Sequence, residues 1–334
     1  MDRNANILLI RLKSIGDVLF TLPAVHVIRE NFPAARITFL TARENAPLLE
    51  GFREVNEVIT LDRARFQSRN PFAILAEAFS LFRSLRRGKF SLAVDFQGYG
   101  ETAWLARLSG APQRWGTVYG RGRRWAYTRG VERDTRLHHV DRSLALLQHC
   151  ELRPGGIRNE FSLPARALDE ARRFFAGAGF DPGKATLFVQ PITSSPKKNW
   201  PLDRYFAVAA YWRAQGWQVL FSGGPQDRQA LEPARQAGYP VSAGVPLLVS
   251  GGLTRLSTFV LGGDTGVVHL AVALGKRVVM VMESTTPGSP FPFQHPDWAV
   301  APANSRMISE IEIGQVLAAC TRALRELGGS PVPG

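Results

Sequence analysis

The sequence predicts an α/β protein built from two doubly wound domains. Three observations carry this: short runs apolar throughout alternate with amphipathic stretches, the series restarts near mid-chain, and each half holds a Gly-Asp turn just after such a run. Strands apolar on both faces need helices on both sides, which is the signature of a covered parallel sheet. Two such series give two doubly wound sheets.

In the first series "NILLIRL" (6–12), "RITFLTA" (36–42), "EVITLD" (57–62) and "FSLAVDFQG" (90–98) read as strands. Between them "VLFTLPAVHVIRENF" (18–32) and "PFAILAEAFSLFRSLRRG" (71–88) read as amphipathic helices. The pattern resumes at "ATLFVQP" (185–191) and continues through "WQVLFSGG" (217–224), "TFVLGGD" (258–264) and "KRVVMVM" (276–282). The Gly-, Pro- and polar-rich stretch "LRPGGIRNEFSLPARALDE" (152–170) marks the join, dividing the chain into 1–165 and 166–308, with a last helix from about 309 to 327 inside a tail that runs to 334.

The length of 334 residues suits two domains of roughly 150. Hydrophobic content of 45% with 21% charged residues is that of a globular chain. Cys150 and Cys320 form neither a metal-ligand spacing nor a disulfide framework, which suits a reducing compartment. The apolar run at the start is short and flanked by charge, so it reads as a buried strand rather than a signal peptide. No run approaches the roughly 18 residues that span a bilayer. A soluble cytoplasmic protein is expected. The net charge of +13 is concentrated in residues 1–165, with 25 Lys and Arg against 16 Asp and Glu. Such a surplus attracts anionic partners. The alternative is compositional bias, since 35 of the 41 basic residues are Arg.

In an open parallel sheet, ligands bind where strand ends lead into helix N-termini, whose unpaired N–H groups favour phosphate. "GGDTGVVHL" (262–270) has the parts: Gly262, Gly263 and Gly266 for close backbone approach, Thr265 for a hydroxyl, and Asp264 and His269 beside them. The plain alternative makes Asp264 an N-cap and His269 a satisfied helix residue. "SIGDVLF" (14–20) repeats the logic, with Asp17 either an N-cap or a general base and Lys13 placed to meet an anion. In "TSSPKKNWPLDRY" (193–205), Lys197 and Lys198 follow a strand directly, where a Lys neutralises phosphate; solvated lysines are the bland reading. Asp203 is placed to cap the next helix. In "SGGPQDRQA" (222–230), Gly223 opens the turn and Asp227 could accept hydrogen bonds from ribose hydroxyls.

These residues together resemble glycosyltransferase family 9, the ADP-heptose:lipopolysaccharide heptosyltransferases. The matching pieces are "ILLIRLKSIGDVLFTLPAVHVIRENFP" near the start, "DFQG" at 95–98, "TSSPKKNWP" at 193–201 and "GGDTGVVHLAVALGKRVVMVM" at 262–282. The resemblance implies a GT-B fold, two Rossmann-like domains facing across a cleft, with the acceptor on the first, the nucleotide-sugar donor on the second and a final helix that crosses back. It implies inverting transfer without metal or other cofactor, and the chain indeed contains no Asp-x-Asp. Asp17 matches the family's proposed catalytic base and Lys198 its phosphate-binding Lys. Asp264, Thr265, Gly266 and His269 match its donor-binding turn, and Asp227 with Gly223 lies near its ribose-binding acidic position. One stretch departs: where the family commonly continues Gly-Pro-Thr-x-Pro, this chain reads "ESTTPGSPFPFQHP" (283–296), placing Glu283 and Ser284 at the donor loop.

On the acceptor side, "QRWGTVYGRGRRWAYTRG" (113–130) interleaves Arg121, Arg123 and Arg124 with Trp115, Tyr119, Trp125 and Tyr127. Interleaved Arg and aromatics suit single-stranded nucleic acid. With the family resemblance they suit an anionic lipid-linked glycan, and no nucleic-acid partner is expected. "FSLFRSLRRGKF" (79–90) ends an amphipathic helix in basic residues, fitted either to acidic lipid headgroups at the inner face of a bacterial membrane or simply to a helix C-terminus. The expected activity is transfer of a heptose or related sugar from ADP-sugar to a lipopolysaccharide-type or other envelope acceptor. The alternative is a non-catalytic nucleotide- or glycan-binding protein of the same fold.

Overall fold

The computed structural model describes residues 5–303 and 307–328 and divides into two units, Met1–Ser162 and Leu163–Gly334. The break falls three residues before the one read from composition.

The first unit is a six-stranded parallel sheet. Its strands are β1 (Asn6–Ile10), β2 (Arg36–Ala42), β3 (Glu57–Leu61), β4 (Leu92–Asp95), β5 (Gln113–Val118) and β6 (Arg129–Glu132), in the order β3-β2-β1-β4-β5-β6. Ile7, Leu8, Leu9 and Ile10 have no solvent exposure at all, which is why β1 is apolar on both faces. The order reverses between β1 and β4, and the crevice outside their carboxyl ends is where such sheets bind ligands. Ile10 pairs with both Leu40 and Asp95, so the loops after β1 and β4 leave the sheet side by side.

The helical stretch expected at 18–32 is two helices, Ile15–Leu19 and Leu22–Asn31, with Pro23 in the first turn of the second, where its missing N–H costs nothing. The Arg- and aromatic-rich segment 113–130 contributes β5, β6 and a short 3-10 turn between them, which the ligand-centred reading of it did not anticipate. Trp115 and Tyr127 are core residues, and Arg114 donates to the carbonyls of Ala126 and Ala111. Only Trp125 of its aromatics is exposed and Tyr119 is half-buried, so the segment is no row of stacking platforms.

The second unit carries β7 (Thr186–Gln190), β8 (Gln218–Phe221), β9 (Phe259–Gly263), β10 (Val278–Val281) and the two-residue edge strand β11 (Ala299–Val300). All are parallel, in the order β8-β7-β9-β10-β11, and the order reverses between β7 and β9. The loop 191–199 and the 263–266 turn therefore emerge together. Gly262 and Gly263 are required for packing: a Cβ on Gly262 would lie 2.7 Å from the Gln190 carbonyl oxygen, and one on Gly263 would lie 2.5 Å from the Thr193 methyl. The glycine pair lets the following helix and the 191–199 loop close onto the strand end.

The last helix, Ile313–Glu326, packs within this second unit, where the family resemblance implied a helix that crosses back. Val316, Ala319, Cys320, Ala323 and Leu324 enter the core formed by Trp200, Tyr205 and Trp212. The Ile311 carbonyl accepts from Trp200 Nε1 (2.8 Å) and Arg204 Nη1 (2.6 Å), and Arg277 Nε reaches Glu326 at 2.6 Å. Residues 329–334 of the expected tail lie outside the described residues. The helix Leu202–Ala214 begins with Pro201 at its cap position, so Asp203 stands in its first turn rather than capping it.

The turn after β4 is closely packed against β5. Gly98 has φ +72°, and a Cβ there would meet the Thr117 carbonyl oxygen at 2.0 Å. Gly98→Ala should lower unfolding stability by about 1–3 kcal/mol through backbone strain and overlap together. Urea unfolding of the variant measures this; an unchanged midpoint would show that the turn relaxes freely.

Candidate active site

At the first unit's switch point, Asp17 stands in the helix Ile15–Leu19, three residues after its N-cap Ser14. Its Oδ2 accepts the Ser14 backbone N–H at 3.0 Å, so the carboxylate does serve the helix start. Its Oδ1 is held by Arg11 Nη2 at 2.7 Å and by His139 Nδ1 at 3.1 Å, a residue 122 positions away. Burial works to raise the Asp17 carboxyl, but the His139 hydrogen bond, the Arg11 charge and the Ser14 amide outweigh it and hold it well below the usual carboxylate range. The group is ionised, oriented and three-quarters covered, with 24% of its side chain exposed.

The floor of this site is built from β4. Asp95 is fully buried at the strand end, where its Oδ1 accepts the N–H groups of Gln97 (2.8 Å) and Gly98 (3.0 Å) and its Oδ2 accepts the Tyr127 hydroxyl (2.7 Å). Burial pushes its carboxyl up against those hydrogen bonds. Gln97 then accepts the N–H groups of Leu12 (2.9 Å) and Lys13 (3.3 Å), and Asn45 donates to the Leu12 carbonyl (2.8 Å), fixing the loop that presents Asp17. Arg11 spans both loops by donating to the Phe96 carbonyl at 2.7 Å.

Asp17 lines a concavity together with Arg11, His139, Arg133, Arg142 and Tyr119 among others. Arg133 stacks over the Tyr119 ring at 4.2 Å, and Arg142 donates to the carbonyls of Asp134 and Thr135. Three guanidinium groups around one carboxylate make it an anion-receiving pocket. Lys13, Arg123 and Arg124, singled out from sequence, are not among the described residues that line it. Lys13 points its ammonium toward the Tyr99 ring at 5.8 Å, Arg123 donates to the Gly98 carbonyl at 3.3 Å, and Arg124 is exposed. The Arg121 side chain lies outside the described residues. Arg11, Arg133, Arg142 and His139 were missed because none lies in a turn or Gly-Asp motif and three of them are far from Asp17 in sequence; the pattern "RLKSIGD" could have flagged Arg11, six residues before Asp17.

At the second unit's switch point, Asp264 bridges two groups: its Oδ2 accepts from Lys198 Nζ at 2.8 Å and its Oδ1 from His269 Nε2 at 3.0 Å. Burial would raise this carboxyl, yet His269 and Lys198 bring it down to about 2. Asp264 is not the N-cap of the helix Gly266–Ala273. Thr265 is, with its hydroxyl accepting the Val268 N–H at 3.3 Å. The amides of that first turn have no partner within the helix itself, as at any helix start. Lys198 and Asp264 line a cavity with Met282, Glu283, Ser284, Ser289 and Pro290, so the atypical loop forms part of this site. Asp227 is not among its walls: buried in the turn after β8, it accepts the Gly224 N–H at 2.7 Å, with its Cβ closing over Gly223. Among the described residues no cluster of three or more His, Cys, Asp or Glu could hold a metal ion.

The sequence model of "Glycosyltransferase family 9 (heptosyltransferase)" matches residues 78–310. The chain belongs to glycosyltransferase family 9. It is 23% identical over 281 residues to lipopolysaccharide heptosyltransferase 3 of Escherichia coli, covering 81% of each chain. Its fold matches a family 9 glycosyltransferase from Veillonella parvula with TM-score 0.84 at 19% identity, covering 98% of this chain and 99% of that one. The E. coli ADP-heptose lipopolysaccharide heptosyltransferase II follows with TM-score 0.80 at 20% identity, over 97% and 100%. This family 9 glycosyltransferase thus has the two Rossmann-like domains of the GT-B fold.

A carboxyl lowered on folding stabilises the native state above its unfolded pKa near 4, and that stabilisation is lost as pH falls through its folded value. For Asp264 the window runs from about pH 4 down to about 2. Asp264→Asn should be destabilised relative to the native chain near neutral pH, with the gap closing toward pH 2. Urea unfolding of both proteins across this range tests it; a pH-independent gap would show that the ion pair is not its source.

Proposed function

We propose that the protein moves a heptose or related sugar from an ADP-sugar to an anionic, lipopolysaccharide-type acceptor at the cytoplasmic face of a bacterial membrane. Transfer inverts the anomeric carbon and uses no metal. The observation that carries the reading is the cation-and-carboxylate cluster of Lys198 and Asp264 set at the start of the Gly266–Ala273 helix, where a diphosphate is best received. The heptosyltransferases the chain is similar to, one of them titled for ADP-heptose, support the choice of sugar and nucleotide.

In this reading an acceptor hydroxyl attacks the anomeric carbon while Asp17 takes its proton. The bond from that carbon to the diphosphate oxygen breaks, and ADP departs with its electron pair. Negative charge grows on the leaving diphosphate, so cations and amides already aimed at it lower the barrier. Lys198 and the first-turn amides of Gly266 and Val267 supply them. Attack from the face opposite the leaving group gives inversion.

Arg133 and Arg142 hold an anionic group of the acceptor, and His139 with Arg11 keeps the Asp17 carboxylate turned toward the hydroxyl. A carboxylate with so low a pKa is a weak base, suited to receiving the proton late, as the hydroxyl becomes acidic on bonding to carbon. Glu283 meets sugar hydroxyls rather than phosphate, since a second carboxylate beside a diphosphate would repel it.

Transfer from ADP-heptose to a deacylated core acceptor, followed by mass spectrometry with the native protein and two variants, tests this reading. Asp17→Ala should lose on the order of 10²–10⁴ in kcat, and Lys198→Ala on the order of 10²–10³. EDTA should leave the native rate unchanged. Full activity in Asp17→Ala would reduce that residue to its part in the helix start.

A further inference from the structure

The helix Pro71–Arg87 packs on the first sheet through Leu81 and Leu85, with buried Glu77 accepting the Asp62 N–H and an ion pair from Arg65. Its other face is not what a water-facing helix normally shows. Phe72, Leu75, Phe79 and Phe82 are 80%, 66%, 66% and 43% exposed. At 100° per residue these four fall within an arc of about 80°. Four large apolar groups on one solvent-facing stripe are a contiguous patch, unlike scattered single exposures.

The stripe runs into positive charge. Arg83 and Arg87 are exposed in the last two turns, and Arg86 lies across Gly110. The only acidic residue of the helix, Glu77, faces inward, so nothing acidic on the helix answers the arginines. The adjoining helix Gly100–Leu108 adds exposed Trp104 and Leu108, and Trp125 packs edge-on against Trp104 at 4.6 Å. Aromatic rings beside arginines are the composition of a surface that seats at the boundary between headgroups and acyl chains.

We infer that this helix is a membrane-seating surface, which lays Phe72, Leu75, Phe79 and Phe82 into the interface of an anionic bilayer while Arg83 and Arg87 pair with lipid phosphates. Charge selects this occupant. A second copy of the helix would bring its own arginines and no carboxylate to meet them, whereas an acidic leaflet satisfies both the apolar stripe and its basic end. No described helix is long and apolar enough to cross a membrane, so the mode is lying on the surface. This goes beyond the transferase reading, and it fits an enzyme whose acceptor is lipid-linked.

Flotation of the full chain with vesicles, in the absence of donor and acceptor, is the test. The protein should float with phosphatidylglycerol/phosphatidylcholine vesicles and at least about tenfold less with pure phosphatidylcholine. Phe72→Ser/Phe79→Ser should cut binding by on the order of tenfold or more, and each of Arg83→Gln and Arg87→Gln by about fivefold. All these side chains are exposed, so the variants should keep the native melting temperature and the native rate with a lipid-free acceptor. Equal flotation of native and variant proteins would overturn the inference. So would a dimer in sedimentation that Phe72→Ser/Phe79→Ser turns into a monomer without any vesicle binding by the native chain. Because flotation needs no sugar transfer, its failure would leave the transferase reading standing.

Discussion

A carboxylate taken most of the way out of water protonates unless something opposes its desolvation, and two such carboxylates anchor this protein. Asp17 is held by Arg11 and His139, and Asp264 by Lys198 and His269. In each unit the arrangement is the same: one cation, one imidazole, and a strand-end crevice that limits solvent. The cation supplies charge and the imidazole supplies direction, so each carboxylate is both ionised and aimed. The surrounding loops are shaped to bring those partners within hydrogen-bonding distance.

What shapes them is mostly buried and chemically silent. Asp95 ties the turn after β4 to Tyr127, and Gln97 passes that constraint to the backbone of Leu12 and Lys13. The Arg- and aromatic-rich segment thus bears on the site from behind. Its Tyr127 holds Asp95, its Arg114 fastens its own chain, and Thr117 and Tyr119 reach the pocket. In the second unit, the missing side chains of Gly262 and Gly263 do equivalent work by letting the 191–199 loop bring Lys198 to Asp264.

The Pro71–Arg87 helix answers to a different constraint. Its inner face obeys the sheet, with Leu81 and Leu85 buried, while its outer face carries apolar side chains that folding leaves in water. A soluble helix gains nothing from Phe72 at 80% exposure. The amphipathic pattern is therefore double, one apolar stripe for the core and one for a surface, with the basic end lying beside the second.

Much of this was legible in the amino-acid order. Strands β1 to β4 and β7 to β10 were each found to within a few residues, because burial on both faces leaves a continuous apolar run. β5, β6 and β11 were not: β5 and β6 are interrupted by arginines and glycines, and β11 is two residues long. Asp17, Lys198, Asp264 and His269 were also legible, since a strand end followed by Gly-Asp or by paired lysines is a local signal. Their partners were not. His139 lies 122 positions from Asp17, and Arg133 and Arg142 are single basic residues among the 41 of the chain. Periodicity and turn chemistry report what one element does alone, and so the sequence by itself determined the fold class, the switch-point loops and the carboxylates they carry. Which cation meets which carboxylate, and that the last helix packs in the second unit, depends on the order in which strands pair. That order sums many weak contacts between distant segments, and only the tertiary structure decided it.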